Sequence, residues 1–531
     1  MLRKRPVLLT LVLVTTSFLI VTFREIFIYS ASPAKDKESN FIYPHDPDQE
    51  KPTRLQLVDS TAAKPEPALT LAQMGGFTND ASHLNRTAVH GIARIQTEDD
   101  IRNVLTYARA NNLKVTCAGQ QHSMGGQTFT HGGLMLDLQD FNHFTVDKEH
   151  RIVNVQSGVR WWQLQQALDK QGLSVKAMQS INIFSVGGTL SVNAHGIDPD
   201  PGPVAPTVRG LRIMLSSGEI VKASATENSE LFRHVLGGYG LFGVILDADL
   251  EVTDNAMYIR QAVYMDYKDF PRYYQKDVEG NAQIGLAFGR LSVAPHGYLQ
   301  ETVAHIYEKA PFNGSLPELK PARHDAVARF VINLSKTGSF GRWVRWTLEK
   351  YLEPQLHDCV TRNQAMTQPG ECLVSRNEEM YDSMAYLKNR LPDTDILQEY
   401  FIPYENMPQF VDSLREVVKR NKANLLNVTI RTLHRDTITA LPYAKQNMFG
   451  FVLYFNCRFT DRDTEILRKT TVDLIDAAHQ AGGTFYLPYQ LFYSKEQLRN
   501  AYPEIEEFFA TKRKHDPAEM FSNRFYEKYG M

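Results

Sequence analysis

At 531 residues the chain is too long for one ordinary domain, so two are expected once the N-terminus is set aside. Hydrophobic residues at 43% and charged ones at 22% exclude both a disordered chain and a wholly membrane-embedded one. A formal net charge of -2 leaves no basic excess to neutralise phosphates, so nucleic acid is not expected as a partner. The four cysteines (Cys117, Cys359, Cys372 and Cys457) form no CxxC pair, and no metal site is expected. Cys359 and Cys372 are close enough in sequence for a disulfide outside the cytosol, with four unpaired thiols an equal alternative.

Arg3, Lys4 and Arg5 precede an uncharged run from Val7 to Phe23, near the lower limit for crossing a bilayer and longer than most signal-peptide cores. No crisp small-x-small cleavage site follows directly, although Ala31 and Ala34 could serve, so an uncleaved anchor over 1–30 is favoured over a cleaved signal. The basic end stays cytoplasmic, which makes this a single-pass membrane protein with its body on the extracytoplasmic side. Residues 31–74, rich in Pro, Asp, Glu and Lys, read as a linker.

Thr97-Glu98-Asp99-Asp100 starts a helix in the manner of a capping box, and Ile101, Val104, Leu105 and Ala108 repeat at helical spacing. The run Val115 to Ala118 then predicts a strand, followed by a loop holding Gly119, His122, Ser123, Gly125 and Gly126 with no charged side chain. Glycines beside hydroxyl and amide groups let successive N–H groups turn inward together, a concavity suited to a pyrophosphate. A neutral imidazole adds nothing to phosphate binding, so His122 needs another role. Strands follow at Leu134–Leu138 and Ile152–Gln156, and a helix over Trp161, Leu164 and Leu168 closes at Gly172.

The second informative stretch, Ser180 to Gly196, places Gly187, Gly188 and Ser191 around a sharp turn that lets a flat ligand lie against backbone. Ser216-Ser217-Gly218 between Met214-Leu215 and Ile220-Val221 predicts a hairpin, a helix covers Glu230 to Leu236, and a strand runs from Val244 to Val252. Gly238, Gly240 and Gly243 spell G-x-G-x-x-G, but they follow a helix and open a strand, so the Rossmann reading is rejected.

The His122 loop, the LDL strand, the GGTLSVNAHG turn, the SSGEIV hairpin and GLFGVIL come in a specific order. Over about Gly75 to Val252 they resemble the FAD-binding domain of the vanillyl-alcohol oxidase family, the PCMH-type FAD-linked oxidoreductases. The resemblance implies an α+β protein with two α+β subdomains over 75–255 clasping FAD. It implies cofactor contacts at Ala118, Gly119, Gln120, Gln121, His122, Ser123 and Gln127 on the first loop. Further contacts are implied at Ser180, Ser185, Gly188, Asn193, Ala194, His195 and Gly196 on the second, and at Val244. His122 looks like the histidine that in many members bonds covalently to the flavin 8α carbon. Gln120 and Gln121 depart from the usual Gly or Arg. Ala194 lies where a side chain can shield the flavin from oxygen.

In the second half, a helix is expected over Tyr267–Asp277, strands over Ile284–Val293 and Val303–Tyr307, and an amphipathic helix over Gly338–Leu352. The aromatic face of that helix reads as core packing, with bilayer contact the alternative. Polar Thr361–Arg376 reads as an exposed loop. Strand Gln398–Ile402, helix Met407–Arg420, strands Asn427–Leu433 and Phe449–Phe455, and helix Asp463–Ala481 give βαββα, which suits a ferredoxin-like antiparallel-sheet cap over 256–499. The tail 500–531 is expected to return towards the FAD domain. In related sugar and polyol oxidases the cap sheet carries an E-I-R triplet; here it reads Thr429, Ile430, Arg431. Arg431 could orient a hydroxyl or stabilise an alkoxide. Arg458, Tyr489 and Gln490 are further candidates on the substrate side, Tyr489 standing where a decaprenylphosphoryl-ribose oxidase sub-branch often has lysine.

The resemblance therefore implies an FAD-dependent oxidoreductase moving hydride from a CH–OH group of a sugar, sugar lactone or polyol to flavin N5. The alternatives are action on a lipid-linked sugar or a lipid carbon–carbon double bond, and a non-catalytic flavoprotein-fold binding module. Oxygen or a membrane electron carrier would reoxidise the flavin. No His/Asp pair in the sequence identifies the base. Asn85, Asn313, Asn333 and Asn427 each begin an N-x-S/T triplet.

Overall fold

The computed structural model describes residues 69–200, 202–312, 325–352, 371–379 and 393–531, together with 24, 54–55, 319 and 365–368. The expected membrane run and Cys359 lie outside these residues. Among the described residues no helix is long and apolar enough to cross a membrane.

The first subdomain is built on β1 (Leu69–Met74), β2 (Gly91–Arg94), α1 (Glu98–Ala110), β3 (Val115–Ala118) and β4 (Leu134–Asp137), with β4 between β2 and β3 and parallel to both. Thr97 accepts from the Asp100 N–H while the Asp100 carboxylate accepts from the Thr97 N–H, so the capping box forms as the sequence predicts. Ile101, Val104, Leu105 and Ala108 are the buried face of α1. The His122 loop leaves the carboxyl end of a parallel strand, where the ends of neighbouring strands leave a crevice for ligands.

The second subdomain includes β5 (Phe144–Asp147), β6 (Ile152–Gln156), α2 (Trp161–Asp169), α3 (Val186–Val192), β7 (Val208–Met214), β8 (Ile220–Ser224) and β9 (Val244–Asp254), in sheet order β8-β7-β9-β6-β5 with the short strand Leu173–Val175 also paired to β9. The hairpin pairs Met214 with Ile220. The expected turn at 185–193 is instead a short helix, because Ser185 caps α3 by accepting from the Gly188 N–H and Asn193 ends it in the left-handed region at φ 48°.

The cap holds two ferredoxin-like units where the sequence shows one. The first contains β10 (Met257–Asp266), β11 (Ile284–Leu291), β12 (Glu301–Lys309), α4 (Asp325–Lys336), α5 (Ser339–Thr347) and β13 (Glu371–Ser375), ordered β13-β10-β12-β11. The second is β14 (Asp393–Pro403), α6 (Met407–Asn421), β15 (Asn424–Leu433), β16 (Met448–Arg458), α7 (Asp461–Gln480) and β17 (Thr484–Phe485), ordered β17-β14-β16-β15. Gly289, Arg290 and Leu291 on β11 pair with Ile430, Thr429 and Val428 on β15, which joins the two units into one antiparallel sheet.

Thr361–Arg376, expected as an exposed loop, carries strand Ala365–Gln368 paired with β13, which adds to the edge of β10. The physical cause is the Leu373-Val374 pair, both 2% exposed. Arg376 behind them is buried against Asp198 and donates to the Val175 and Lys176 carbonyls. On α5 the aromatic residues divide. Trp346 is buried with Ala294 and Val303, whereas Trp343 and Phe340 face outward. Of the N-x-S/T asparagines, Asn333 is buried and Asn427 lies within β15.

One hydrophobic core runs from Trp161, Val186 and Phe242 of the second subdomain into Phe401, Phe449 and Tyr486 of the cap. The tail docks on the first subdomain. Phe521 bridges Val115 in parallel, Asn523 donates to the Tyr239 carbonyl, and the Arg524 N–H donates to Gly126 and Phe129 carbonyls.

Candidate active site

A cleft runs between the two subdomains and under the cap sheet. Its inner end, a cavity of 580 Å³, is lined by Ala118, Gly119, Gln127, Ser157, Gly188 and Gly240 among others. It continues through Gly119, Ser123, Ser185 and Gly188 into a cavity of 810 Å³ walled by His122, Phe184, His195 and the cap residues Leu397, Glu399, Arg431 and Val452. The two glycine-rich bends touch. A Cβ on Gly119 would stand 2.0 Å from Ser185 Oγ, so the approach requires glycine.

Asp80 holds the first bend in place. Its carboxylate accepts from the Ser82 N–H and hydroxyl, the Asn85 amide and the Gly126 N–H. Asn85 also donates to the Met124 carbonyl, and Gln490 donates to Ser82 Oγ. Gly126 takes the left-handed conformation at φ 75°, with Arg524 packed where a Cβ would go. Burial pushes the Asp80 carboxyl up to about 6, against the pull of Ser82, Asn85 and Gly126.

The polar groups on the cleft wall fit a dinucleotide. The Gln120 amide is 4% exposed with no hydrogen-bond partner among the described residues, and Thr128 Oγ1 and Ser157 Oγ are likewise buried and unmatched. Each would cost about 1–3 kcal/mol if left so, and a bound pyrophosphate or ring-edge carbonyl supplies partners. Burial pulls the His122 imidazole down to about 3, and its ring lies 4.3 Å from that of Phe184. It is therefore neutral in the working pH range. Burial also pushes the Cys117 thiol up to about 12, which keeps it protonated on the cleft wall.

At the cap end the side chains form one network. Arg431 Nη1 donates to the His195 carbonyl at 3.0 Å and Nη2 to Ser180 Oγ at 2.8 Å. His195 Nε2 lies 2.5 Å from Glu399 Oε2, and Tyr489 donates to Glu399 Oε1 at 2.5 Å. Burial pushes the Glu399 carboxyl up, but His195, Arg431 and the Tyr489 hydroxyl outweigh it and hold the group below the usual carboxylate range. Burial draws His195 below its usual range, partly offset by the Glu399 charge.

Glu399 is an acid in the same row of the cap sheet as Thr429. Glu399 and Thr429 both pair with Val452, on opposite sides of β16, so they share a row and a face of the sheet. The two positions stand two strands apart, about 10 Å. The signal available in the sequence was an acid directly before the apolar run Tyr400–Ile402.

The wall includes Ala118, Gly119, Gln120, Gln121, His122, Ser123, Gln127, Ser180, Ser185, Gly188, Ala194, His195, Arg431 and Tyr489. Asn193, Gly196 and Gln490 lie behind it. Asn193 joins Asp436 to the Ala205 N–H, and Gly196 packs on the Met178 carbonyl. Two assignments are corrected. Arg458 is exposed at the far end of β16, opposite Asp393, because the strand outruns the cleft. Val244 points into the core of the first subdomain, since strand faces alternate and its neighbours Gly243 and Ile245 take the cleft side. Phe184, Gln179, Thr128 and Tyr486 line the wall without a prior assignment. Among the described residues no group of His, Cys, Asp and Glu is placed to hold a metal ion.

Fold and cleft define a two-subdomain dinucleotide-binding flavoprotein with a sheet closing the reactive end. The FAD binding domain family matches residues 89–224, and the D-arabinono-1,4-lactone oxidase family matches 342–529. A D-arabinono-1,4-lactone oxidase of Yarrowia lipolytica is 31% identical over 160 residues, covering 29% of this chain and 30% of its own. L-gulonolactone oxidase of Mus musculus is 31% identical over 153 residues, 29% and 34% of the two chains. Cytokinin dehydrogenase 2 of Arabidopsis thaliana is 30% identical over 218 residues, 40% and 43%. The chain thus aligns with about a third to two fifths of the length of these relatives. Both matched regions and these relatives are those of PCMH-type FAD-linked oxidoreductases.

Proposed function

We propose that the protein oxidises a CH–OH group of an aldonolactone or a related sugar or polyol. The carrying observation is the network of Arg431, Glu399, His195 and Tyr489 on the cap side of the cleft, across from His122. FAD, when bound, supplies the hydride acceptor. Gln120, Thr128, Ser157 and the backbone of 119–127 would hold it. Arg431, fixed by His195 and Ser180, presents its remaining positive edge to a substrate hydroxyl and stabilises charge developing on that oxygen. The sheet roof of Leu397 and Val452 excludes water from the reacting carbon.

The test is anaerobic bleaching of the flavin absorbance by a panel of aldonolactones, polyols, a cytokinin and a prenyl-linked sugar. Bleaching by lactones or polyols is expected; bleaching by the cytokinin alone would overturn the reading. The apolar wall of Ile181, Phe184, Leu397 and Val452 supports the prenyl-linked sugar as the second substrate class.

Three finer features belong to the same reading. His122 is the covalent attachment point, supported by its neutral, nucleophilic state on the wall. Acid-denatured protein on a gel should then fluoresce at its own mass, and His122→Ala should not. Oxygen is the electron acceptor, with a membrane carrier the alternative that a comparison of oxygen consumption against quinone reduction decides. The run Val7–Phe23 anchors the chain with its body extracytoplasmic, which protease protection in sealed vesicles measures.

A further inference from the structure

His195 and Glu399 come from turns and strands 204 positions apart and meet in the cleft wall at 2.5 Å. The family resemblance gives His195 a place against the flavin, and nothing in the sequence pairs it with an acid. We propose that His195 is the general base that takes the substrate hydroxyl proton, on Nδ1, with Glu399 as the residue that positions it. The inference rests on the proposed CH–OH reading.

Three observations carry it. Glu399 is ionised and accepts from Nε2, which fixes the imidazole as the Nε2–H tautomer and leaves the Nδ1 lone pair as an acceptor. Nδ1 is buried with no hydrogen-bond partner among the described residues, in a residue that lines the cavity. The ring is held by more than its function requires of a cofactor contact. Phe401 stands edge-on at 5.5 Å, Tyr443 and Tyr486 lie at 5.9 Å, and Arg431 grips the His195 carbonyl. A histidine with one ring nitrogen bonded to a buried carboxylate and the other unmatched is the arrangement that orients a proton acceptor and steadies the imidazolium that follows.

The step balances with the flavin as oxidant. The substrate O–H breaks and its proton forms N–H at Nδ1; the C–H pair leaves as hydride to the flavin; the oxygen lone pair closes the C=O bond. The base must be neutral to start. The groups facing it are Glu399 from β14, Arg431 from β15, Tyr443 from the β15–β16 connection, and Tyr486 and Tyr489 beyond β17. Among these Glu399 raises the imidazole and Arg431 lowers it, while burial lowers it most. The acid limb of the rate should thus fall below the free histidine value of about 6.5.

The experiment is anaerobic flavin reduction by an aldonolactone from pH 5 to 9, in wild type, His195→Gln and Glu399→Gln, with flavin content measured first. His195→Gln should bind flavin and reduce it about 10²–10⁴-fold more slowly, with no acid limb. Glu399→Gln should slow reduction at least tenfold and shift the limb to lower pH. Independently of activity, ¹⁵N NMR of labelled histidine should show His195 as the Nε2–H tautomer in wild type and as a mixture in Glu399→Gln. Reduction by His195→Gln within threefold of wild type, loss of flavin from that variant, or an Nδ1–H tautomer would each overturn the proposal alone. A wild type whose flavin no CH–OH donor bleaches would overturn the underlying reading, and the proposal with it.

Discussion

Asp80 makes the first glycine-rich bend sensitive to pH. Its carboxyl is raised to about 6 in the folded protein, so its proton is held more tightly there than in the unfolded chain. A raised group contributes stability that is fully present below about pH 4 and is lost as pH climbs through 6. At 1.36 kcal/mol per unit, the loss is on the order of 3 kcal/mol. Urea unfolding at pH 4 and pH 7 should show that slope in wild type, and Asp80→Asn should flatten it. Gly119 sets the spacing of the two bends. The methyl of Gly119→Ala meets Ser185 Oγ at 2.0 Å, so one bend must move, at a cost of about 1–3 kcal/mol. The purified variant should retain its far-ultraviolet circular dichroism and carry at most a tenth of the wild-type flavin.

Among the elements, α5 shows how one helix can hold two kinds of aromatic residue. Trp346 packs beneath it against Ala294 and Val303, and its indole N–H donates to Glu301. Trp343, one turn earlier and about 60° round the helix, lies beyond the edge of that contact and is 49% exposed. Trp346→Ala should therefore lower stability by about 3–5 kcal/mol, whereas Trp343→Ala should stay within about 0.5 kcal/mol. Equal losses in chemical denaturation would mean that the helix is seated the other way round. The cap sheet makes a similar point about position. The row through Glu399, Val452 and Thr429 lets an acid on β14 serve a site whose arginine is on β15, because neighbouring strands present the same row to the same face.

The whole molecule is held as one body by a core that crosses from the FAD domain into the cap, and by a tail that returns to the first strand of the cleft. Ligand filling the cleft should stabilise all of it. In His122→Ala, where the flavin binds reversibly, FAD at a hundredfold excess over its dissociation constant should add about 2.7 kcal/mol, visible as a raised melting temperature relative to the same variant without flavin. Removing residues 516–531 takes out the fully buried Phe521, Phe525 and Tyr526 and the strand-edge bonds to Val115. That truncation should abolish flavin retention even though the tail contributes no wall residue to the cleft.

Local chemistry made much of this legible from the amino acids alone. The capping box at Thr97, the apolar spacing of α1 and the paired runs around Ser216–Gly218 each depend on residues within a few positions of one another, and so did the glycine-and-hydroxyl composition of the two bends. Other features depend on which residues meet after the chain has folded. The acid at 399 reads as one of three acids on β14 until β14, β16 and β15 align it with Arg431 and His195. The duplication of the ferredoxin-like unit was hidden because the short apolar pair of β13 sits in the polar stretch Thr361–Arg376 and finds its partner only at the edge of β10. Arg458 and Val244 were misjudged for a related reason: strand length and face parity decide whether a side chain reaches the cleft, and only the register reveals them. The sequence by itself determined the cofactor class and its two bends; the tertiary structure alone decided which carboxylate stands beside which histidine, because that pairing is made through space across 204 residues.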